Sequence, residues 1–131
     1  MSVSTTANPL PKPHRGEIWY VKLPTDPPDK LPRPVVVVSI ESRNQNDRAN
    51  SVQVVPLTTT LSGVPTHIRL QPGETGLNET SEVQAEDITV VRKEHLQSAR
   101  AQLRRLSETQ LRKIAKCVVM ALGFLPEDMC D

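Results

Sequence analysis

Aromatic rings are scarce in this chain. Trp19, Tyr20 and Phe124 are the whole complement, too few for the stacking platform on which sequence-tolerant proteins lay out single-stranded bases. Cysteine is nearly absent too. Cys117 and Cys130 follow no metal-binding or redox spacing, and Cys117 falls in a helical pattern where a thiol packs as a small apolar side chain. Neither zinc nor a disulfide is expected. The Gly-rich stretch Pro72 to Asn78 lacks phosphate-loop spacing and feeds no helix, so it reads as a loop. No apolar run reaches the length of a membrane span, and residues 1–14, made largely of Ser, Thr, Asn and Pro, carry no apolar leader core. The expectation is a flexible N-terminal tail on a cytoplasmic protein without membrane contact. Charge excess is missing as well: 16 Lys and Arg against 15 Asp and Glu leave +1. The molecule as a whole is no electrostatic magnet for nucleic acid, and any such contact must be local.

What is present is organised around Arg33-Pro34-Val35-Val36-Val37-Val38-Ser39. Four Val residues in a row are stiff at χ1 and suit a pleated strand covered on both faces. Pro34 cannot donate to a ladder, which places it at the strand's first position and holds Arg33 extended at the rim. A guanidinium fixed there is well placed to clamp an anion. An Arg that merely flanks a core strand is the plainer alternative.

Around this stretch, 131 residues make one domain. Arg15 to Leu23 reads as a strand, Pro24 to Pro32 as a stiff loop with four prolines, and Glu41 to Asn50 as a turn. Ser51 to Thr60 is a strand ending in hydroxyls at the Pro56 disruption. Thr66 to Leu70 alternates as a half-buried strand should. Ser81 to Val91 continues the sheet, with Gln84 and Glu86 on one face. Lys93 to Arg105 reads equally as a helical turn or a last strand. Ser107 with Gln110 three residues on matches a capping box, and Leu111, Ile114, Ala115, Val118, Val119 and Leu122 recur at helical spacing before Gly123. The cations Arg100, Arg104, Arg105, Arg112, Lys113 and Lys116 read as a solvated face. His67 and His95 likewise read as solvated, and His14 belongs to the tail. Short strands, Gly and Pro turns and one terminal helix give a mostly β, α+β architecture, a small bent antiparallel sheet or barrel with the helix packed on it.

Five pieces stand in a telling order: Arg15-Gly16-Glu17-Ile18-Trp19, Arg33-Pro34 with its valines, Val54-Val55-Pro56-Leu57-Thr58, the Ser81 to Val91 strands, and Leu106-Ser107 leading a helix that ends Ala121-Leu122-Gly123. Together they resemble the MazF/PemK family of toxin–antitoxin endoribonucleases. The resemblance implies an SH3-like small barrel of the CcdB/MazF type over residues 15–125, with 126–131 as a C-terminal tail. It implies a homodimer that cleaves single-stranded RNA at short specific sequences without a metal ion or cofactor, held in check by a cognate antitoxin. Rival expectations on the same barrel are a gyrase-inhibiting module of the CcdB kind, which would act on a DNA-binding target, and a member that binds RNA or antitoxin but no longer cleaves.

Metal-free RNA cleavage needs a base for the ribose 2′-OH, a cation for the charge growing on phosphate, and an acid for the leaving oxygen. By the resemblance Arg33 takes the phosphate and Thr58 offers it a hydroxyl; a strand-end Thr satisfying local backbone is the alternative. Glu86 is the expected general base, which requires its carboxyl pKa to be raised by burial or by Asp87. Thr59 and Gln84 are expected to contact RNA. Relatives carry a Gly-x-Glu-Gln segment before the arginine; here Asp29-Lys30-Leu31-Pro32 stands instead, so Lys30 and Asp29 are the substitutes expected to touch RNA. The acid has no assigned residue.

Overall fold

The computed structural model describes residues 10–98 and 103–129. Arg100 and Cys130, and most of the N-terminal tail, lie outside the described residues. The strands are β1 (Ile18–Val21), β2 (Arg33–Val37), β3 (Ser51–Thr58), β4 (His67–Leu70), β5 (Ser81–Gln84) and β6 (Thr89–Arg92). The helices are α1 (Glu41–Asn44), α2 (Pro72–Thr75) and α3 (Glu108–Ala121), with 3-10 turns at Ala85–Asp87, Lys93–His95 and Pro126–Met129.

The strands form one antiparallel sheet in the order β1-β2-β3-β5-β4, and β6 pairs with β3 beside that path. The valine run explains why. Val35, Val36 and Val37 are each 0% exposed, because alternate side chains enter two different cores. Val36 packs with Ile18, Val55, Leu57, Leu70, Val83 and the α3 residues Leu111 and Ile114. Val35 and Val37 pack with Val21, Leu23, Val52, Val54, Val91 and Leu96. Each buried Val stabilises the fold by about 1.5–3 kcal/mol before cavity terms. A strand covered on both faces is therefore what four valines produce.

Arg33, not Pro34, opens β2, and Pro34 pairs with Tyr20 of β1. Strand β3 runs through Pro56 instead of ending there. Its first half pairs with β6 as far as Val54↔Thr89, and its last two residues pair with β5 at Leu57↔Val83 and Thr58↔Glu82. Pro56 falls between the two partners, where the ladder changes hands. This change is the bend that carries Thr58 away from the first half of the strand.

Several local expectations shift. Pro72 to Asn78 begins with the single helical turn α2, closed by Gly76 at φ 83, a conformation glycine adopts without a Cβ clash. Glu41 to Asn50 likewise begins with α1. Residues 12–14 are docked instead of loose: Gln45 Nε2 donates to Pro13 O at 2.9 Å, and His14 Nδ1 meets Glu41 Oε2 at 2.9 Å. Burial opposes the Glu41 charge, but hydrogen bonds from His14, the Arg15 amide and Asn44 hold its carboxyl down at about 2. Lys93 is 1% exposed and donates to the carbonyls of Arg43 and Asn46 at 2.9 Å each, tying down the segment after α1. Burial lowers the pKa of that amine.

The capping box of α3 is present in both directions between Ser107 and Gln110. The helix buries Leu111, Ile114 and Cys117, the last as a small apolar residue. Ala115 and Leu122 are exposed, so the apolar periodicity covers two faces and only one meets the sheet. Among the described residues no helix is long and apolar enough to cross a membrane.

Candidate active site

Arg33 stands where β2 begins, its side chain 19% exposed. Its Nη2 donates to Leu57 O at 3.0 Å and to Gln84 Oε1 at 2.9 Å. Its Nη1 lies 3.6 Å from Asp26 Oδ1, an ion pair too long for a hydrogen bond. Among the described residues, the buried Asp26 Oδ2 has no hydrogen-bond partner. Two of the five guanidinium donors are thus spent on fixing the group's plane. The Nη1 and Nε donors remain, with Nη1 beside the Asp26 carboxylate.

A cavity of about 380 Å³ opens beside this guanidinium, walled by Arg33, Pro34 and Tyr20 on one side, Leu57, Thr58 and Thr59 at the end of β3, and Gly76 to Glu79 with Ser81 opposite. Lys30 and Leu103 complete its rim. Arg33 and Thr58 therefore share one cavity, as do the expected RNA contacts Lys30 and Thr59. Thr58 Oγ1 also accepts from the Thr60 amide at 3.1 Å, so the hydroxyl shapes its own turn while its proton remains free for another acceptor.

Three other expected residues are placed differently. Gln84 is not on the cavity wall; its amide oxygen is the acceptor that orients Arg33. Asp29 is exposed on the Pro24 to Pro32 loop and is not on this cavity's wall. Glu86 is also absent from the wall, because the 3-10 turn Ala85–Asp87 breaks the strand alternation that was to set it beside Gln84. Its carboxylate accepts from Thr66 Oγ1 at 2.9 Å and meets His67 Nε2 at 2.7 Å. Although burial works to raise its pKa, the bonds from His67 and Thr66 lower it, opposite to what a general base at neutral pH requires.

His67 corrects a second expectation. Its side chain is 7% exposed, and its Nδ1 sits 2.8 Å from Glu82 Oε1. Burial alone would lower its pKa, but hydrogen bonds with Glu82 and Glu86 outweigh that and raise it. Glu82, 1% exposed, also accepts from the amides of Ser62 and Gly63 and from Arg69. The His67 bond leads the effects that hold its carboxyl down at about 2. His95 is exposed, as expected.

Sequence reasoning also passed over Glu79, the carboxylate that does stand on the cavity wall, and Asp26, which faces Arg33. Both lie in loops whose approach to β2 depends on pairing across the sheet, so no local pattern announces them.

A sequence profile of the family described as PemK-like, MazF-like toxin of type II toxin-antitoxin system matches residues 14–122. No curated protein gives a significant match. Among solved structures, an endoribonuclease from Mycobacterial species is 27% identical, with a TM-score of 0.69 over 89% of this chain and 96% of that one. An endoribonuclease from Mycobacterial species in complex with its cognate antitoxin is 26% identical, with a TM-score of 0.67 over 86% and 96% of the two chains. The Mycobacterium tuberculosis toxin MazF-mt6 is 26% identical, with a TM-score of 0.64 over 82% and 97%.

Proposed function

Because the chain belongs to the PemK-like, MazF-like toxin family of type II toxin–antitoxin systems, we propose that it is the toxin of such a pair, an endoribonuclease that cuts single-stranded RNA in the Arg33 cavity. The observation that carries this reading is the guanidinium itself, locked in plane by Leu57 O and Gln84, on the wall of a cavity that Thr58 also lines. A phosphodiester set there has its non-bridging oxygens held by Arg33 and Thr58, which stabilise the charge that grows as the ribose 2′-oxygen attacks phosphorus. Glu79 replaces Glu86 as the carboxylate that accepts the 2′-OH proton. Lys30 supplies a second cation, and its ammonium is the acid for the departing 5′-oxygen. The products are a 2′,3′-cyclic phosphate and a 5′-hydroxyl, and the step calls for no metal ion.

Residues 15–125 form the toxin domain, working in the cytoplasm. A homodimer fits the exposed apolar face of α3 and its sequel: Leu122 is 68% exposed, Phe124 54% and Leu125 56%, a cluster that one copy alone leaves in water. The cognate antitoxin is expected to lay an acidic, extended segment along the Arg33 cavity, competing with RNA for the same donors.

Purified protein free of antitoxin should cut RNA with EDTA present and leave cyclic phosphate ends. Arg33→Ala should abolish cutting, and Glu79→Gln should slow it by about a hundredfold or more while Glu86→Gln leaves it within about twofold. Intact RNA after prolonged incubation with the parent protein overturns the reading.

A further inference from the structure

Contacts to phosphate position a nucleic acid but carry no sequence information. Arg33 and Thr58 are of that kind, so choice among RNA sequences must come from groups beside them. Directly after Thr58, Thr59 and Thr60, residues 61–65 form a loop exposed along its whole length. An exposed loop of this kind is ordinarily mobile. This one is tied down from beneath.

The tie is the buried carboxylate of Glu82. It accepts from the amides of Ser62 at 3.0 Å and Gly63 at 3.1 Å, and from Ser62 Oγ at 3.3 Å. His67 Nδ1 at 2.8 Å and Arg69 Nη2 at 3.1 Å balance its charge. His67 in turn reaches Glu86, which also takes the hydroxyl of Thr66 at the loop's far end. Gly63, at φ 69, makes the turn that aims both amides inward. A buried charge with every oxygen satisfied is costly to assemble, and two of the bonds to this one come from loop amides. Its effect is to hold the loop in one shape, with Leu61 44% and Val64 40% exposed on the outside. Two apolar side chains on a braced backbone, three and six residues beyond Thr58, are a surface against which a nucleobase face can pack.

We propose that the Glu82–His67 pair is a specificity-positioning device: by fixing this loop it makes Leu61 and Val64 the contacts that select the base next to the scissile phosphate. The proposal rests on the endoribonuclease reading above.

The test is to sequence the 5′ ends of a mixed transcript pool cut by the parent, by Glu82→Gln and by Gly63→Val, with rates on the parent's preferred site and its next-best site. A Cβ at Gly63 meets nothing within 4 Å, so that variant disturbs only the loop backbone and decides the matter if Glu82→Gln fails to fold. Both variants should still cut, with preference for the parent's best site over its next-best reduced about tenfold, the worth of one base contact, and Glu82→Asp should recover part of it. An unchanged cleavage map, or a rate that falls equally at every site, overturns the proposal while leaving the nuclease reading intact. A parent protein that cuts nothing overturns both.

Discussion

Arg33 and Gln84, separated by 51 positions in the chain, meet in a 2.9 Å hydrogen bond that fixes the plane of the guanidinium. Gln84 thereby acts on RNA through Arg33. Gln84→Leu removes that acceptor and leaves Leu57 O as the remaining restraint on Nη2. A hydrogen bond to a charged group is worth about 1.5–3 kcal/mol, so cleavage should slow at least tenfold. Single-turnover rates at saturating RNA check this, and a rate within twofold of the parent rules out an orienting role.

The clamp beneath the 61–65 loop should respond to pH on both sides. Glu82 falls from an ordinary 4.5 to about 2 in the folded protein, so its contribution is complete above 4.5 and is lost as pH falls towards 2. His67 is raised above its ordinary 6.5, so its contribution is complete below 6.5 and is lost as pH climbs through the raised value. Hydrogen-exchange protection of the Ser62 and Gly63 amides should therefore be greatest between 4.5 and 6.5 and decline in either direction. Protection factors that stay level from acid to alkaline pH contradict this linkage.

The exposed cluster after α3 gives a prediction about assembly. Leu122→Glu and Phe124→Glu place a charge on a face that a dimer buries, and an unpaired buried charge is strongly unfavourable. Sedimentation at micromolar concentration should show a dimer for the parent and a monomer for the double variant. A parent that sediments as a monomer removes the dimer.

Ser107→Ala deletes the side-chain half of the α3 capping box. The expected loss is about 1 kcal/mol, a fall in Tm of roughly 4 °C for a domain of this size. Circular-dichroism melting reads it directly.

The parts of this protein that could be read from sequence are those governed by near neighbours. Four consecutive valines specify a strand buried on both sides, and Ser107 with Gln110 specifies a helix start. Arg33 was singled out as the cation at the rim of the valine strand and Thr58 by family resemblance, and the structure sets both on one cavity wall. The misreadings come from distant encounters. Glu86 was assigned by family resemblance, and the alternation expected to set it beside Gln84 is interrupted by the turn at Ala85–Asp87. His67 looked like a surface residue until register set it beside Gln84 and opposite two carboxylates. Glu82 is an acid in a strand of ordinary appearance, and only a loop arriving from about twenty residues upstream explains why it can be buried. Lys93 is the same case, its amine hidden by carbonyls near α1. A local window shows the residue but not the partner that permits its burial.

Strand β3 is paired to β2, β5 and β6 at once, and it supplies Thr58 and the carbonyl that steadies Arg33. The edge strands β1 and β4 pair with β2 and β5 and not with β3, so they can open while β3 holds, whereas a break in β3 takes the sheet and the cutting apparatus together. An enzyme built in this manner tolerates wear at its margins and fails at its spine: a copy nicked within β3 should cut nothing, while one frayed at the outer strands should still cut.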